Sequence, residues 1–370
     1  MRVLFTFTGG RGHVEPLLPL ATAARSAGHA VAFAGRPSVL PVVLELDFEA
    51  FATEPPGKPA QRIPLRRLDP EREARDFRDG FAAHLARQRA PRVAALCSEW
   101  RPDVVVCSET DFGAMVAAER LELPFASVVV LAAGTFAFPE LVGGPLDRVR
   151  AEHGLPPDPE LAMLSGHLVL APLPPSYRDP AFPLPPTTRY FRPLDVAGAP
   201  PDDPAAVYFT LGTVFNLESG NLFSRVLSGL AELPVEVVAT VGSEIDPAEF
   251  GPLPPHVRVE RFLAQAEILP RCSAVVSHGG SGSVLGALAH GLPQVLIPMG
   301  ADQPLNAARC EELGVARVLD AVAATPETVR EAVADVLTEP GYRAAAGRLE
   351  EEFAALPGPE LAVQLLERLR

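Results

Sequence analysis

Short runs in which every position is apolar alternate along this chain with longer stretches whose apolar residues recur every three or four positions. The first pattern belongs to a strand buried on both faces, the second to a helix with one face on a core. Val3–Thr8 reads as a buried strand. Glu15–Ala27 reads as a helix, with Pro16 tolerated in its first turn and Gly28 ending it. Ala30–Ala34 reads as a second strand, and after an irregular stretch Asp76–Trp100 reads as one long helix. A strand at Val104–Cys107, a helix at Asp111–Leu121 and a strand at Phe125–Leu131 follow. Prolines then crowd the chain from Pro172 to Pro204, a composition expected of a stiff interdomain linker. Strand-like runs resume at Ala206–Leu211, Val235–Val241, Val257–Arg261, Ala274–Ser277, Gln294–Ile297 and Ala316–Leu319, with helices between them. Helical segments at Gly341–Leu356 and Pro359–Arg370 close the chain. This alternation predicts an α/β protein of two doubly wound parallel-sheet domains facing each other across a cleft. In such sheets ligands bind beyond the carboxyl ends of the strands.

Composition narrows the function. A length of 370 residues allows two domains that each bury a core, and a hydrophobic content of 48% argues against disorder. The formal charge of −14 argues against a nucleic-acid or anionic-membrane partner, so an anionic substrate has to be held by local dipoles. Cys97, Cys107, Cys272 and Cys310 are widely spaced and read as free buried thiols of a reducing cytosol, not as a disulfide framework or a zinc site. The chain enters a strand directly after Met1-Arg2, without a signal-peptide pattern. Its longest apolar stretch, Leu123–Pro139, is interrupted by Pro124, Ser127, Gly134 and Thr135. A cytoplasmic protein without stable membrane insertion is expected.

Two segments carry chemistry, and both fall at carboxyl ends of expected strands. The first is Ser277-His278-Gly279-Gly280-Ser281-Gly282-Ser283, followed after another strand by Met299-Gly300-Ala301-Asp302-Gln303-Pro304-Leu305-Asn306. Glycines after a strand let the backbone approach a ligand, and the N–H groups of the next helix start favour an anion. His278, Ser281 and Ser283 add donors, while Asp302 and Gln303 suit sugar hydroxyls. Taken singly, each half also reads as a glycine turn and a helix cap, at Ser281 and at Asp302. The second segment is Thr8-Gly9-Gly10-Arg11-Gly12-His13. A dinucleotide-binding turn fails there, since Glu15 stands where the third glycine belongs, and it fails at Gly280 because Leu285 does.

Read together, these segments make the chain similar to a family-1 glycosyltransferase of GT-B fold, of the bacterial type that decorates antibiotics and other natural products. The donor signature of that family is a His-Gly-Gly-x-Gly-Ser/Thr loop followed by Asp-Gln-x-x-Asn, and His13 matches its Gly-x-Gly-His base. The resemblance implies residues 1–195 as a Rossmann-like acceptor domain, 196–345 as a Rossmann-like donor domain, and 346–370 as a helical end crossing back to the first. It implies His13 as the base, partnered by a carboxylate from Cys107-Ser108-Glu109-Thr110-Asp111, with Asp111 the first choice and Glu109 the rival. Asp111 on its own reads equally as a helix cap. Donor-binding residues implied are Thr213, Phe262, Leu263, Gln265, His278, Gly279, Gly280, Ser281, Gly282, Ser283, Asp302 and Gln303. Arg261-Phe262-Leu263-Ala264-Gln265 departs from the family's Trp-x-Pro-Gln by Phe262 for Trp and Ala264 for Pro, although Phe262 still offers a stacking face. Asn306 either meets the sugar or caps its loop.

Phe136 and Phe138, with Leu141, line an acceptor pocket or belong to core, and a short Ala52–Arg92 region is expected to leave that pocket open. The expected reaction is inverting transfer of a sugar from a dTDP- or UDP-sugar to a hydroxyl of a hydrophobic polyketide or aromatic acceptor. No metal and no cofactor beyond that co-substrate are expected, because Asp202-Asp203 lies in the proline stretch and reads as a turn. A sugar-nucleotide epimerase or hydrolase, and a non-catalytic donor-binding auxiliary protein, are the alternatives. A homodimer is left open.

Overall fold

The computed structural model describes residues 1–55, 61–193 and 206–369. The first sheet contains β1 (Arg2–Thr6), β2 (Ala30–Gly35), β3 (Glu49–Ala52), β4 (Val104–Ser108), β5 (Phe125–Val128), β6 (Leu168–Ala171) and β7 (Thr188–Tyr190), in the order β3-β2-β1-β4-β5-β6-β7. The second contains β8 (Ala206–Thr210), β9 (Glu236–Thr240), β10 (Val257–Glu260), β11 (Cys272–Ser277), β12 (Gln294–Leu296) and β13 (Ala316–Val318), in the order β10-β9-β8-β11-β12-β13. Every pairing is parallel. Helices cover both faces, which is why β4, β8 and β12 are buried at every position and read as unbroken apolar runs. The strand order reverses between β1 and β4 and again between β8 and β11. The loops after those four strands therefore open onto the crevices where such sheets bind ligands.

Buried contacts join the halves. One buried cluster mixes Val129, Ala133, Leu173 and Tyr177 of the first half with Val284, Leu288, Ala307 and Phe353 of the second. The last helix, Pro359–Glu367, buries Ala362, Val363 and Leu366 with Leu17, Leu20 and Ala24, and His29 lies 3.0 Å from Glu367. All four cysteines are free and buried. No helix among the described residues is long and apolar enough to cross a membrane.

Several expectations need correction. The first helical stretch begins at Arg11, not Glu15, and is broken by a 3-10 turn at Glu15–Leu17 before Leu18–Ser26, because Pro16 and Pro19 each require a first-turn position. The long helix starts earlier, at Pro70, with Asp69 accepting from the Arg72 N–H, and it contains a π-helical stretch at Phe77–Leu85. Strands β3, β6 and β7 and the helix Gly144–Glu152 were not anticipated. The proline-rich stretch is not simply a linker. Its first part carries the 3-10 turn Pro175–Tyr177 and edge strand β7, whose short length and edge position tolerate neighbouring prolines. Asp202-Asp203 lies outside the described residues.

Candidate active site

The loop after β1 turns sharply at Gly9, whose φ of +92° a side chain would strain and whose added Cβ would stand 2.7 Å from His13 Cδ2. The imidazole of His13 therefore lies directly on the backbone of its own loop. Phe81 covers it from the other side, with ring centroids 5.6 Å apart. This enclosure lowers the His13 pKa to about 4; the Arg36 guanidinium pushes the same way and the Asp111 carboxylate opposes it. His13 is consequently neutral at pH 7. Its Nδ1 lies 3.0 Å from Thr110 Oγ1. The tautomer that makes His13 a base has Nδ1–H donating to that hydroxyl and Nε2 carrying the free lone pair; the proton's position is assigned from this role.

Thr110, then, is the residue hydrogen-bonded to His13, and the expected pairing with Asp111 is not what the structure shows. Both Asp111 oxygens accept from Arg89, at 2.9 and 2.6 Å, and Oδ1 also caps the next helix through the Ala114 N–H. Arg89 is 1% exposed and donates further to Thr53 and Glu54, and Arg36 closes the network on Glu54 at 3.0 Å. Two cations thus offset two carboxylates beneath the loop. Gly113 makes this possible, because a Cβ there would stand 2.7 Å from Arg89 Cβ and 2.9 Å from the Ala86 carbonyl. The rival Glu109 also points elsewhere, accepting from the Val130 and Leu131 N–H groups; burial raises its pKa and Arg178 opposes.

An aromatic series runs from His13 into the first half. Phe81 stacks on Phe77 at 5.3 Å, and Phe77 meets Phe136 at 5.4 Å, while Phe138 packs on Phe182 at 5.7 Å. Phe77 and Phe81 were missed in the sequence; the signal available was their i, i+4 spacing, which puts two rings on one helix face.

Across the cleft, His278 follows β11 and is 8% exposed; burial lowers its pKa to about 4. Its Nε2 edge sits against Gly212 and Gly280, where added Cβ atoms would stand 2.7 and 2.6 Å away. Its Nδ1 has no hydrogen-bond partner among the described residues. The helix Ser281–Ala289 begins after Gly280 with no side chain capping it. Gly279 takes φ +83°, Gly282 is exposed, and Thr213 is exposed in the loop after β8. Ser283 Oγ accepts from Gln265 at 3.4 Å, which ties the base segment to this helix start, while Leu263 packs against the core beneath.

The remaining donor residues are engaged with one another. Ser281 donates to Asp302 Oδ2 at 2.7 Å and accepts from the Ala132 N–H at 2.9 Å. Asn306 donates to Gly279 O, Ser281 and Asp302 and accepts from the Ala133 N–H at 3.1 Å, so of its two readings the loop-bracing one describes its contacts. Burial raises the Asp302 pKa, opposed by the Ser281 and Asn306 hydrogen bonds. Gln303 Oε1 accepts from the Met299 and Gly300 N–H groups and holds that turn.

Three contacts bring the two edges into one cleft. A Cβ on Gly10 would stand 3.4 Å from Val214, the Arg11 guanidinium lies 5.2 Å from the Phe262 ring centre, and Glu73 accepts from the Ala301 N–H at 2.8 Å. The last belongs to the 61–76 segment, which makes further contacts with the second half. Ile63 N–H donates to Leu217 O at 2.9 Å and Arg62 forks onto Glu249, so this segment bridges to the second half.

Two such sheets with their ligand edges turned on a shared cleft make the GT-B fold of sugar-transferring enzymes. The chain belongs to the family of antibiotic glycosyltransferases, and it is a glycosyltransferase. Residues 224–369 match the model of the erythromycin biosynthesis protein CIII-like C-terminal domain. Over its full length the chain is 31% identical to 4'-demethylrebeccamycin synthase of Lentzea aerocolonigenes, covering 99% of that protein. It is 30% identical to 10-deoxymethynolide desosaminyltransferase of Streptomyces venezuelae, with 100% of this chain and 97% of the relative covered. Among solved structures, glycosyltransferase VinC in complex with dTDP superposes with a TM-score of 0.79 at 26% identity, covering 100% of this chain and 99% of the other.

Proposed function

We propose that this protein transfers a sugar from a dTDP- or UDP-sugar to a hydroxyl of a hydrophobic small-molecule natural product, inverting the anomeric centre without a metal ion. The observation that carries the reading is the opposition, across one cleft, of a neutral His13 to the uncapped helix start at Ser281 beside His278. The diphosphate rests on the Gly282 and Ser283 N–H groups and on His278, whose Nε2 edge lies against the glycine loop; Thr213 adds a hydroxyl. The base stacks on Phe262, with Leu263 and Gln265 at its edge. These groups stabilise the departing diphosphate, which is the task a metal would otherwise perform.

The acceptor lies along Phe81, Phe77 and Phe136, with its hydroxyl at His13 Nε2. As the acceptor oxygen attacks C1, its proton passes to Nε2, the bond from C1 to the diphosphate oxygen breaks, and the imidazolium shares its proton on Nδ1 with Thr110. Diphosphate charge entering the cleft raises the His13 pKa from its low value in the free protein and strengthens it as a base. Titrated against a panel of dTDP- and UDP-sugars with polyketide and aromatic acceptors, the protein is expected to give a product of inverted configuration by NMR, with a rate unchanged by chelator. His13→Ala is expected to lower kcat by ~10²–10⁴ while dTDP binding persists. Full transfer by that variant, or retained configuration, sinks the mechanism.

A further inference from the structure

Phe262 is 57% exposed, unusual for a large aromatic side chain, and Arg11 of the other half lies over its ring. Arg11 opens the helical turn that follows the β1 loop, two residues before His13, with Nε held at 2.9 Å by Glu15. The 5.2 Å between guanidinium and ring lies within the cation–π range, and a guanidinium is itself a planar group that stacks on flat partners. Beside this pair, Val214, also 53% exposed, faces the Gly10 position at 3.4 Å. The second half therefore presents two uncovered apolar side chains to one loop of the first, and that loop answers with a planar cation.

We propose that Arg11 is the second wall of the nucleobase slot, so that the donor's pyrimidine lies between the Phe262 ring and the Arg11 guanidinium. This inference rests on the donor reading above. A base inserted between two planar groups needs about 3.5 Å on each side, or roughly 7 Å in all. The present 5.2 Å separation must then widen by roughly 2 Å, which the unbranched Arg11 side chain supplies by leaving Glu15. In the free protein Arg11 lies over part of the Phe262 ring and leaves the rest of it in water. Because the slot takes one wall from each half, nucleotide binding couples the loop that carries His13 to the donor sheet, and the base helps to set the position of the catalytic imidazole. Arg11 is a specificity-determining residue in this arrangement: it accepts any planar pyrimidine but requires one.

The test is calorimetric titration of the full chain with dTDP and with thymidine monophosphate, for the wild type, Arg11→Ala, Arg11→Gln, Phe262→Ala and the Arg11→Ala/Phe262→Ala double variant. Arg11 and Phe262 are surface side chains, and unchanged melting temperatures of the free variants establish that they fold. The expected result is an about tenfold rise in Kd for Arg11→Ala by the same factor with both nucleotides, a smaller rise for the planar Arg11→Gln, and a double variant weaker than wild type by less than the product of the single factors. Unchanged dTDP affinity in Arg11→Ala overturns the proposal. So does a loss much larger for dTDP than for the monophosphate, which assigns Arg11 to phosphate. A wild type that binds neither dTDP nor UDP instead removes the donor reading itself, and the two failures are told apart by that control.

Discussion

Replacing Thr110 and Asp111 separately distinguishes which of them serves His13. Thr110→Val keeps the shape of a buried side chain and deletes the hydrogen bond on His13 Nδ1. Such a bond has a net worth of about 0.5–1.5 kcal/mol. At 1.36 kcal/mol per decade, its loss lowers kcat by roughly 2- to 13-fold. The effect on stability is small, because both oxygens of Asp111 keep their partners. Asp111→Asn does the reverse. It removes one of two carboxylates facing Arg89, whose side chain is 1% exposed, and leaves a buried cation half-balanced by Glu54. Breaking a buried pair costs about 3–5 kcal/mol, and the surviving Glu54 contact puts this case near the lower end. With each kcal/mol worth about 2–4 °C in a domain of ordinary size, the melting temperature falls by about 6–12 °C. Differential scanning calorimetry and single-turnover transfer, the latter run well below the lowered Tm, measure the two effects separately. If Asp111→Asn melts within about 2 °C of wild type while its kcat drops a thousandfold, the carboxylate acts on the imidazole after all and the assignment to Thr110 is wrong.

Three further outcomes follow from the geometry. Gly280→Ala has an acceptable backbone, at φ −63°, yet its Cβ would stand 2.6 Å from His278 Nε2, so the imidazole must shift; dTDP affinity by titration is expected to drop about tenfold, for the loss of one charge-assisted contact. Because His13 and His278 are both held near 4 against an ordinary 6.5, the unfolded chain binds more protons than the folded one between those values. Urea denaturation across pH should show stability intact above about 6.5 and declining as pH falls toward 4, with a shallower decline in His278→Asn; an equal slope in that variant contradicts the burial argument. Glu73→Ala deletes the acceptor for the Ala301 N–H and the partner of Arg72, and hydrogen exchange should quicken at Ala301 and through the 61–76 segment, with unchanged exchange disproving the bridge.

The fold class was legible because parallel strands buried on both faces leave largely apolar runs, and β1, β2, β4, β5, β8, β9, β11 and β12 fall on such runs. Strands β3 and β7 were not, since four and three half-exposed residues at the sheet's edges carry no pattern distinct from a loop. Both glycine loops were visible for a local reason. Gly9, Gly212 and Gly279 all take positive φ, and the close approach of His13 to Gly9 and of His278 to Gly212 and Gly280 bars a side chain.

The sequence alone therefore determined two doubly wound sheets, a histidine at the carboxyl edge of each, and a helix start beside the second, because each is encoded by residues adjacent in the chain. Only the tertiary structure decided which partner each of those groups has. Arg89 reaches Asp111 from a different helix, Glu73 reaches Ala301 from the other half, and Arg11 covers Phe262 across the cleft. A hydrogen bond or ion pair between residues far apart in sequence depends on side-chain directions fixed by packing, and no local pattern of hydrophobic and polar positions specifies those directions.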